Sequence, residues 1–301
     1  MSKRKLTALE RQNYRNGLLF CSPAILGLLA FTLYPVISSL YYSFCNYPML
    51  KPPIWVGLAN YKTLFADPIF YKSLGNTVYY AVYATPIGIA VAFLLALLLN
   101  QKVKGMVVFR TMFFVPSIVP MVSASVLWLW LLNPSYGLIN AGLHALHIYE
   151  PGWMADPAWA KPALILMSTW GVGGWMLIYL AGLQDVPQDL YEAAEIDGAS
   201  AMQRVWHVTV PFMSPHIFFT LVMGFIGAMQ YFTQAYVMTN GQGGPVDSTR
   251  FFSLYLFQNA FQYWKMGYAC AMAWLLFIVI LAFTLVLFKT SARYVYYGGE
   301  K

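Results

Sequence analysis

Apolar and polar positions along this chain fall into long blocks, without a short-period alternation. Six blocks contain no Asp, Glu, Lys or Arg: residues 17–44, 77–99, 111–132, 162–183, 212–238 and 267–288. An apolar layer about 30 Å thick is crossed by roughly 20 helical residues, and each block reaches that length. The strands of an outer-membrane barrel would show alternating segments of about ten residues instead. The blocks therefore predict six transmembrane helices. Pro23, Pro35, Pro86, Pro116 and Pro120 fall inside them. Membrane helices tolerate proline where neighbouring groups satisfy the freed carbonyls. The first block follows basic residues, yet it exceeds the apolar core of a signal peptide, about 7–15 residues, and no small-residue cleavage site follows it. It reads as a retained helix.

Composition strengthens this picture. Hydrophobic residues make up 59% of the 301 and charged residues 10%, against about 25% charged in a soluble domain. The expected fold class is an all-α integral membrane protein embedded in a lipid bilayer. Its parts are an N-terminal tail (1–16), a six-helix transmembrane domain (17–290) and a C-terminal tail (291–301). Cys21, Cys45 and Cys270 lie in or beside the blocks. Their spacing suggests neither a disulfide framework nor a metal site, so they read as small packing residues.

The basic residues orient the chain, because Lys and Arg collect on the cytoplasmic side of membrane proteins. Lys3, Arg4, Lys5, Arg11 and Arg15 precede the first block, and Lys102, Lys104 and Arg110 fill the loop after the second. Arg204 lies between the fourth and fifth, and Lys289, Arg293 and Lys301 follow the sixth. The opposite side receives Lys51, Lys62, Lys72, Lys161, Arg250 and Lys265. Both termini are thus expected in the cytoplasm. The net charge of +7 follows from this bias and gives no reason to invoke nucleic acid.

One cytoplasmic loop, 185–211, departs from its side. Asp185, Asp189, Glu192, Glu195 and Asp197 place five of the chain's 11 acids there. Acids contribute little to topology, and an acidic segment gains nothing from an anionic leaflet. The loop reads as a solvated connector or as a surface for another protein. Pro187 suits a first helical position. Asp185, Asp189 and Glu192, spaced four and three apart, would share one face. Gly198 is a left-handed terminator, and Ser200 with Gln203 forms a capping-box pattern. The expectation is helix, glycine turn, second short helix to about Thr209, with Pro211 as its stop.

Much chemistry is absent. No G-x-x-x-x-G-K-[ST] run occurs, so a P-loop cannot be built. There is no Ser/His/Asp or paired-carboxylate arrangement, and the chain is not expected to be an enzyme. No cofactor and no metal site is expected; His144 and His147, three residues apart, are too few for one. The blocks lack the buried charge that ion-coupled carriers and proton pumps use, and no inverted repeat is evident. Power from another subunit fits better than a self-powered carrier. Neutral polar groups remain. Gln230 and Gln234, one turn apart on the fifth predicted helix, lie near Tyr231 and Thr233; the fourth offers Ser168, Thr169, Trp170 and Trp175. Gln230, Gln234, Tyr231 and Trp170 are candidates for a substrate pathway. Interhelical hydrogen bonding and aromatic packing are the alternative.

Glu192-Ala193-Ala194, three residues, Gly198, nine residues and Val208-Thr209-Val210-Pro211 resembles the "EAA" signature of binding-protein-dependent ABC importer permeases, E-A-A-x3-G-x9-I-x-L-P, with Val at both aliphatic positions. "YPVISSLYYSF", "VGLANYKTLFADPIF", "FRTMFFVPSIVP" and "GLINAGL" also resemble the carbohydrate-uptake, MalF-like branch. "TNGQGGPVDST" departs from its T-x-G-G-P by an apparent insertion, Gly241-Gln242. The ending "SARYVYYGGEK" lacks the G-A-V-K-G tail of the MalG-like branch. The resemblance implies a type I importer permease of MetI-like fold in a bacterial or archaeal inner membrane. It implies four partners: a cytoplasmic ATP-binding subunit, a second MalG-like permease, an extracytoplasmic solute-binding protein and a sugar substrate. A glycerol-phosphate or other polar solute stays open. Glu192, Ala193, Ala194 and Gly198, with Pro211 at the end, would form the element that docks on the ATPase; Asp197 is added by position.

Overall fold

A computed structural model of the chain describes residues 7–101, 103–291 and 295–296. Lys3, Arg4, Lys5, Lys102, Arg293 and Lys301 lie outside the described residues. Among the described residues the regular elements are helical apart from a two-residue antiparallel pairing of Cys45–Asn46 with Ile54–Trp55. Among the described residues, four helices are long and apolar enough to cross a membrane: Ala8–Ser43, Pro68–Leu99, Ala201–Met229 and Met266–Ser291. Two bent pairs, Met106–Ile118 with Met121–Leu131 and Pro157–Trp170 with Gly173–Gln184, raise the number to six if each pair is one span. Contacts divide the chain into two units, residues 1–66 with 259–274, and residues 67–258 with 275–301.

In the smaller unit the first span starts on a capping box. The Thr7 hydroxyl accepts from the Glu10 amide, and the Glu10 carboxylate accepts from the Thr7 amide. The helix widens to a π-helical turn at Leu29–Leu33 just before Pro35. Proline has no N–H to give the carbonyl four residues back, and its ring crowds that carbonyl. A wider turn relieves the crowding, so the helix continues. Beyond it, Asn60 donates to the Ser43 and Cys45 carbonyls at 2.8 and 2.9 Å, fastening Ala59–Ala66 to the end of the span.

The larger unit is built around the second span, Pro68–Leu99. Asp67 caps it by accepting from the Ile69 amide. Ala81, Ala84, Gly88, Ala92 and Ala96 form a buried stripe along it, and small residues at helical spacing let membrane helices approach closely. The fourth and fifth spans pack on this helix. Ala92, Ala96, Leu99, Met176, Tyr179, Leu183 and Met213 form one shared core. Arg110 was expected in a loop; it lies in the helix Met106–Phe114, and its guanidinium donates to the Leu99 carbonyl at 2.9 Å, closing the end of the second span.

Three predicted helices are interrupted. The third bends by 100° at Val119–Pro120, and the fourth by 48° near Gly171. The fifth ends at Met229, and a separate helix runs Thr233–Met238. The segment after it is tied back to the second span. Asn76 donates to the carbonyls of Asp247 and Arg250, and Lys72 to that of Val246. Gly241, in the apparent insertion, donates its amide to the Tyr236 carbonyl at 2.7 Å and accepts from the Gln258 amide group. The buried Phe252 amide donates to the Thr77 hydroxyl at 2.8 Å. Replacing Thr77 by Val removes that acceptor while keeping the shape. The expected cost is about 1–3 kcal/mol, the usual penalty for a buried donor left unsatisfied. Thermal unfolding in detergent checks it, and an unchanged midpoint would refute the assignment.

Candidate functional site

The three interruptions meet at one cleft of about 460 Å³ in the larger unit. The break of the third span contributes Pro116, Ser117, Val119 and Met121; that of the fourth contributes Trp170, Gly171 and Val172; that of the fifth contributes Gln230, Tyr231 and Phe232. Non-helical backbone at membrane depth persists only where it is buried in protein or lines a cavity, and here all three breaks line the same cavity. Gln230, Tyr231, Gln234 and Trp170 are therefore brought together. Gln230 and Gln234 do not sit one turn apart on a helix as expected. The last turn closes tightly, with the Gln230 and Tyr231 amides donating to the Gly227 and Ala228 carbonyls, and Gln234 belongs to the next short helix, near the Met121 sulfur at 3.1 Å.

The lining holds no Asp, Glu, Lys, Arg or His. Its polar atoms are amides and hydroxyls, from Gln230, Gln234, Thr85, Ser117, Ser168 and Thr233. Tyr80 and Tyr231 lie 4.2 Å apart between ring centroids, and Trp128 meets Trp170 edge to face. Aromatic faces beside neutral hydrogen-bonding groups suit a ligand that is apolar on its faces and hydroxylated at its edges.

Trp175 and the two glycines beneath it escaped the sequence reading as a unit. A Cβ at Gly88 would fall 3.0 Å from the Trp175 ring, and one at Gly224 would fall 2.7 Å from it. The indole is seated on two helices where neither has a side chain. Below this layer Ala92, Met176, Tyr179 and Thr220 are fully buried, so Trp175 is part of the cleft floor.

The acidic loop takes the expected local shape with three corrections. Its helix is Gln188–Ile196, ended by Gly198 at φ +76°. The Gly198 and Ala199 amides bond to the Glu195 and Ala194 carbonyls, the double closure of a Schellman motif. Ser200 and Gln203 form the capping box. First, Pro187 is the residue before the helix and Asp185 ends the preceding one, so Asp185 does not share a face with Asp189 and Glu192. Secondly, Pro211 does not stop the second helix. A π turn at Val205–Thr209 precedes it, as one precedes Pro35, and the helix runs unbroken over Ala201–Met229. Thirdly, the exposed face is not only acidic. Asp189, Glu192, Ala193 and Ile196 share it, and Ile196 is 87% exposed. An isoleucine inside an acidic helix was the available signal for an apolar anchor. Ala194 turns partly inward; Asp197 and Gly198 are exposed at the turn.

Among the described residues no group of three His, Cys, Asp or Glu side chains converges as a metal site would. His144 pairs with Glu150 at 2.7 Å on the surface.

The family described as binding-protein-dependent transport system inner membrane component matches residues 84–294, which include the loop and all of the cleft lining except Tyr80. The chain is 41% identical over 301 residues to the probable ABC transporter permease protein YesP of Bacillus subtilis (strain 168), covering 99% of this chain and 97% of that protein. It is 36% identical to the lactose transport system permease protein LacF of Rhizobium radiobacter, covering 97% and 99%. The fold resembles a chain of a bacterial alginate ABC transporter solved with an alginate pentasaccharide-bound periplasmic protein. The TM-score is 0.82 at 23% identity, covering 95% of this chain and 98% of that one.

The floor yields a paired prediction. Gly224→Ala forces a methyl against the Trp175 ring and should destabilise by about 1–3 kcal/mol, the cost of overpacking. Gly227→Ala, with nothing within 4 Å of its Cβ, should be neutral or mildly stabilising, since Ala favours helix over Gly. Equal unfolding midpoints for the two variants would show that the ring is not seated there.

Proposed function

The chain belongs to the family of binding-protein-dependent transport system inner membrane components, and we propose that it is one of two permease subunits of an ATP-driven sugar importer. It is a multi-pass inner-membrane permease by family. The observation that carries the sugar reading is the cleft where three broken spans meet, lined by indoles, phenols and neutral amides without a charge. The printed substrates of relatives, lactose and trehalose or maltose among them, support the same class. An uncharged lining also favours a neutral sugar over a phosphate-bearing solute, which would call for cationic partners.

The chain contains no P-loop, so ATP hydrolysis is assigned to a separate cytoplasmic subunit. Glu192, Ala193, Ala194, Asp197 and Gly198 form its docking element, with Ile196 as the apolar anchor at the centre of the exposed face. The basic residues support a cytoplasmic position for this loop and for both termini. A second, MalG-like permease would complete the pathway, and an extracytoplasmic solute-binding protein would deliver the sugar, as the periplasmic protein of the alginate transporter suggests. Alternating access follows from this layout. Closure of the ATPase moves the docked loop, and the loop moves the spans whose broken ends line the cleft.

Two experiments separate the halves of this reading. Gly198→Leu places a side chain at a left-handed position, costing about 1–2 kcal/mol in the turn. ATPase co-purification and sugar uptake should both fall; normal coupled uptake would defeat the docking assignment. Gln230→Leu combined with Gln234→Leu should abolish uptake of the sugar its solute-binding protein retains, while ATP hydrolysis persists. Unchanged uptake would remove both glutamines from the pathway.

A further inference from the structure

The docking helix Gln188–Ile196 presents one face outward and turns Tyr191 and Ala194 inward. The Tyr191 hydroxyl lies 2.9 Å from the Thr209 hydroxyl. Thr209 is 2% exposed and ends the π turn at the root of the fifth span. The Arg204 carbonyl lies 3.4 Å from the Thr209 hydroxyl, and in the shorter Tyr191–Thr209 pair either hydroxyl can donate. A second tie joins the same two elements, Arg204 to Glu195 at 3.1 Å, but the Glu195 side chain is 68% exposed. Ion pairs in water are weak and screened by salt, so the shielded hydroxyl pair is the firmer connection.

Tyr191 and Thr209 stand 18 positions apart in sequence, across the Schellman turn and the capping box. Without a cross-tie, those residues form a hinge about which the docking helix could swing while the fifth span stayed still. With it, the hinge is closed on its inner side. The fifth span then runs unbroken for 29 residues, a rod of about 43 Å at 1.5 Å per residue. Its far end carries Gly224, Gly227, Ala228 and Gln230 into the cleft. π turns recur at functional positions in helices; this one, required by Pro211, also places the Thr209 hydroxyl against the docking helix.

We infer that Tyr191 is a positioning residue for transport: its bond to Thr209 makes the docking helix and the fifth span move as one body. This rests on the docking role of 192–198 proposed above.

The test uses the assembled transporter in proteoliposomes, with Cys21, Cys45 and Cys270 replaced by Ala and Gln234→Cys as a reporter at the cleft. The probe is a maleimide, and the readout is its labelling rate with and without ATP trapped by vanadate. Trapped ATP should change the rate in the parent chain. Tyr191→Phe and Thr209→Val should each reduce that change by about fivefold or more, the low end of ordinary coupling between sites. Thr209→Ser, which keeps the hydroxyl, should preserve it, and ATPase co-purification should be unaffected in all three. An ATP-dependent change as large in Tyr191→Phe as in the parent overturns the inference, and so does no change in the parent. Loss of the ATPase from Tyr191→Phe also overturns it, because Tyr191 would then serve docking itself. Failure of the docking role is seen separately, as an ATPase that remains fully bound and coupled to the Gly198→Leu chain.

Discussion

A backbone amide or carbonyl inside an apolar layer must find its partner within the protein, because no water is available and each unsatisfied group costs several kcal/mol. Nearly every irregularity in this chain is arranged around that constraint. Before Pro35 and before Pro211 the helix widens to a π turn and continues. At Val115–Ile118 it tightens to a 3-10 turn around Pro116. Ser73, Thr77, Ser125 and Thr220 return their hydroxyls to carbonyls three or four residues back. Arg110 spends its guanidinium on the terminal carbonyl of a neighbouring span. Among the described residues, the breaks in the third, fourth and fifth spans lie around the cleft, where polar side chains and space take the place of a regular ladder. Exposed backbone there is a consequence of having a cavity, and it makes the cavity polar without any charge.

The same constraint explains what could be read from the sequence. Long uncharged blocks announce spans, because a charge there would be costly, and the helical class followed from them. Local shape in the acidic loop was also legible: Gly198, Ser200 and Gln203 act through their own backbone and near neighbours. The breaks were not. Hydropathy is averaged along a block, and Gly171-Val172-Gly173 is as apolar as its surroundings. The end of the fifth span at Gln230 has no proline or glycine beside it and is set by packing against other spans. Pro211 misled for a related reason. At the edge of a block a proline looks like a stop, whereas the residues before it had already widened the turn. Asp185 was placed on the docking face by counting through Pro187, which separates two helices. Of the site, the four cleft residues were found by chemistry alone; the seating of Trp175 required knowing that Gly88 and Gly224 face each other across helices.

Cleft and loop are also connected in an economical way. The fourth span ends at Asp185, just before the helix Gln188–Ile196, and the fifth begins just after that helix. Both spans reach the cleft through their broken ends. The loop is thus continuous with two walls of the cleft, and the second span supplies a small-residue surface against which both spans pack. Rigid elements separated by small residues are a familiar basis for shear motions.

The floor of the cleft has a consequence of its own. Gly88 and Gly224 receive the Trp175 ring by shape, and a Cβ at Gly224 would also fall 2.9 Å from the Thr85 methyl group, so a few contacts between carbon atoms set the depth of the cleft. A side chain added at Gly88 or Gly224 would displace the ring and so change the depth of the cleft without removing any of its hydrogen-bonding groups.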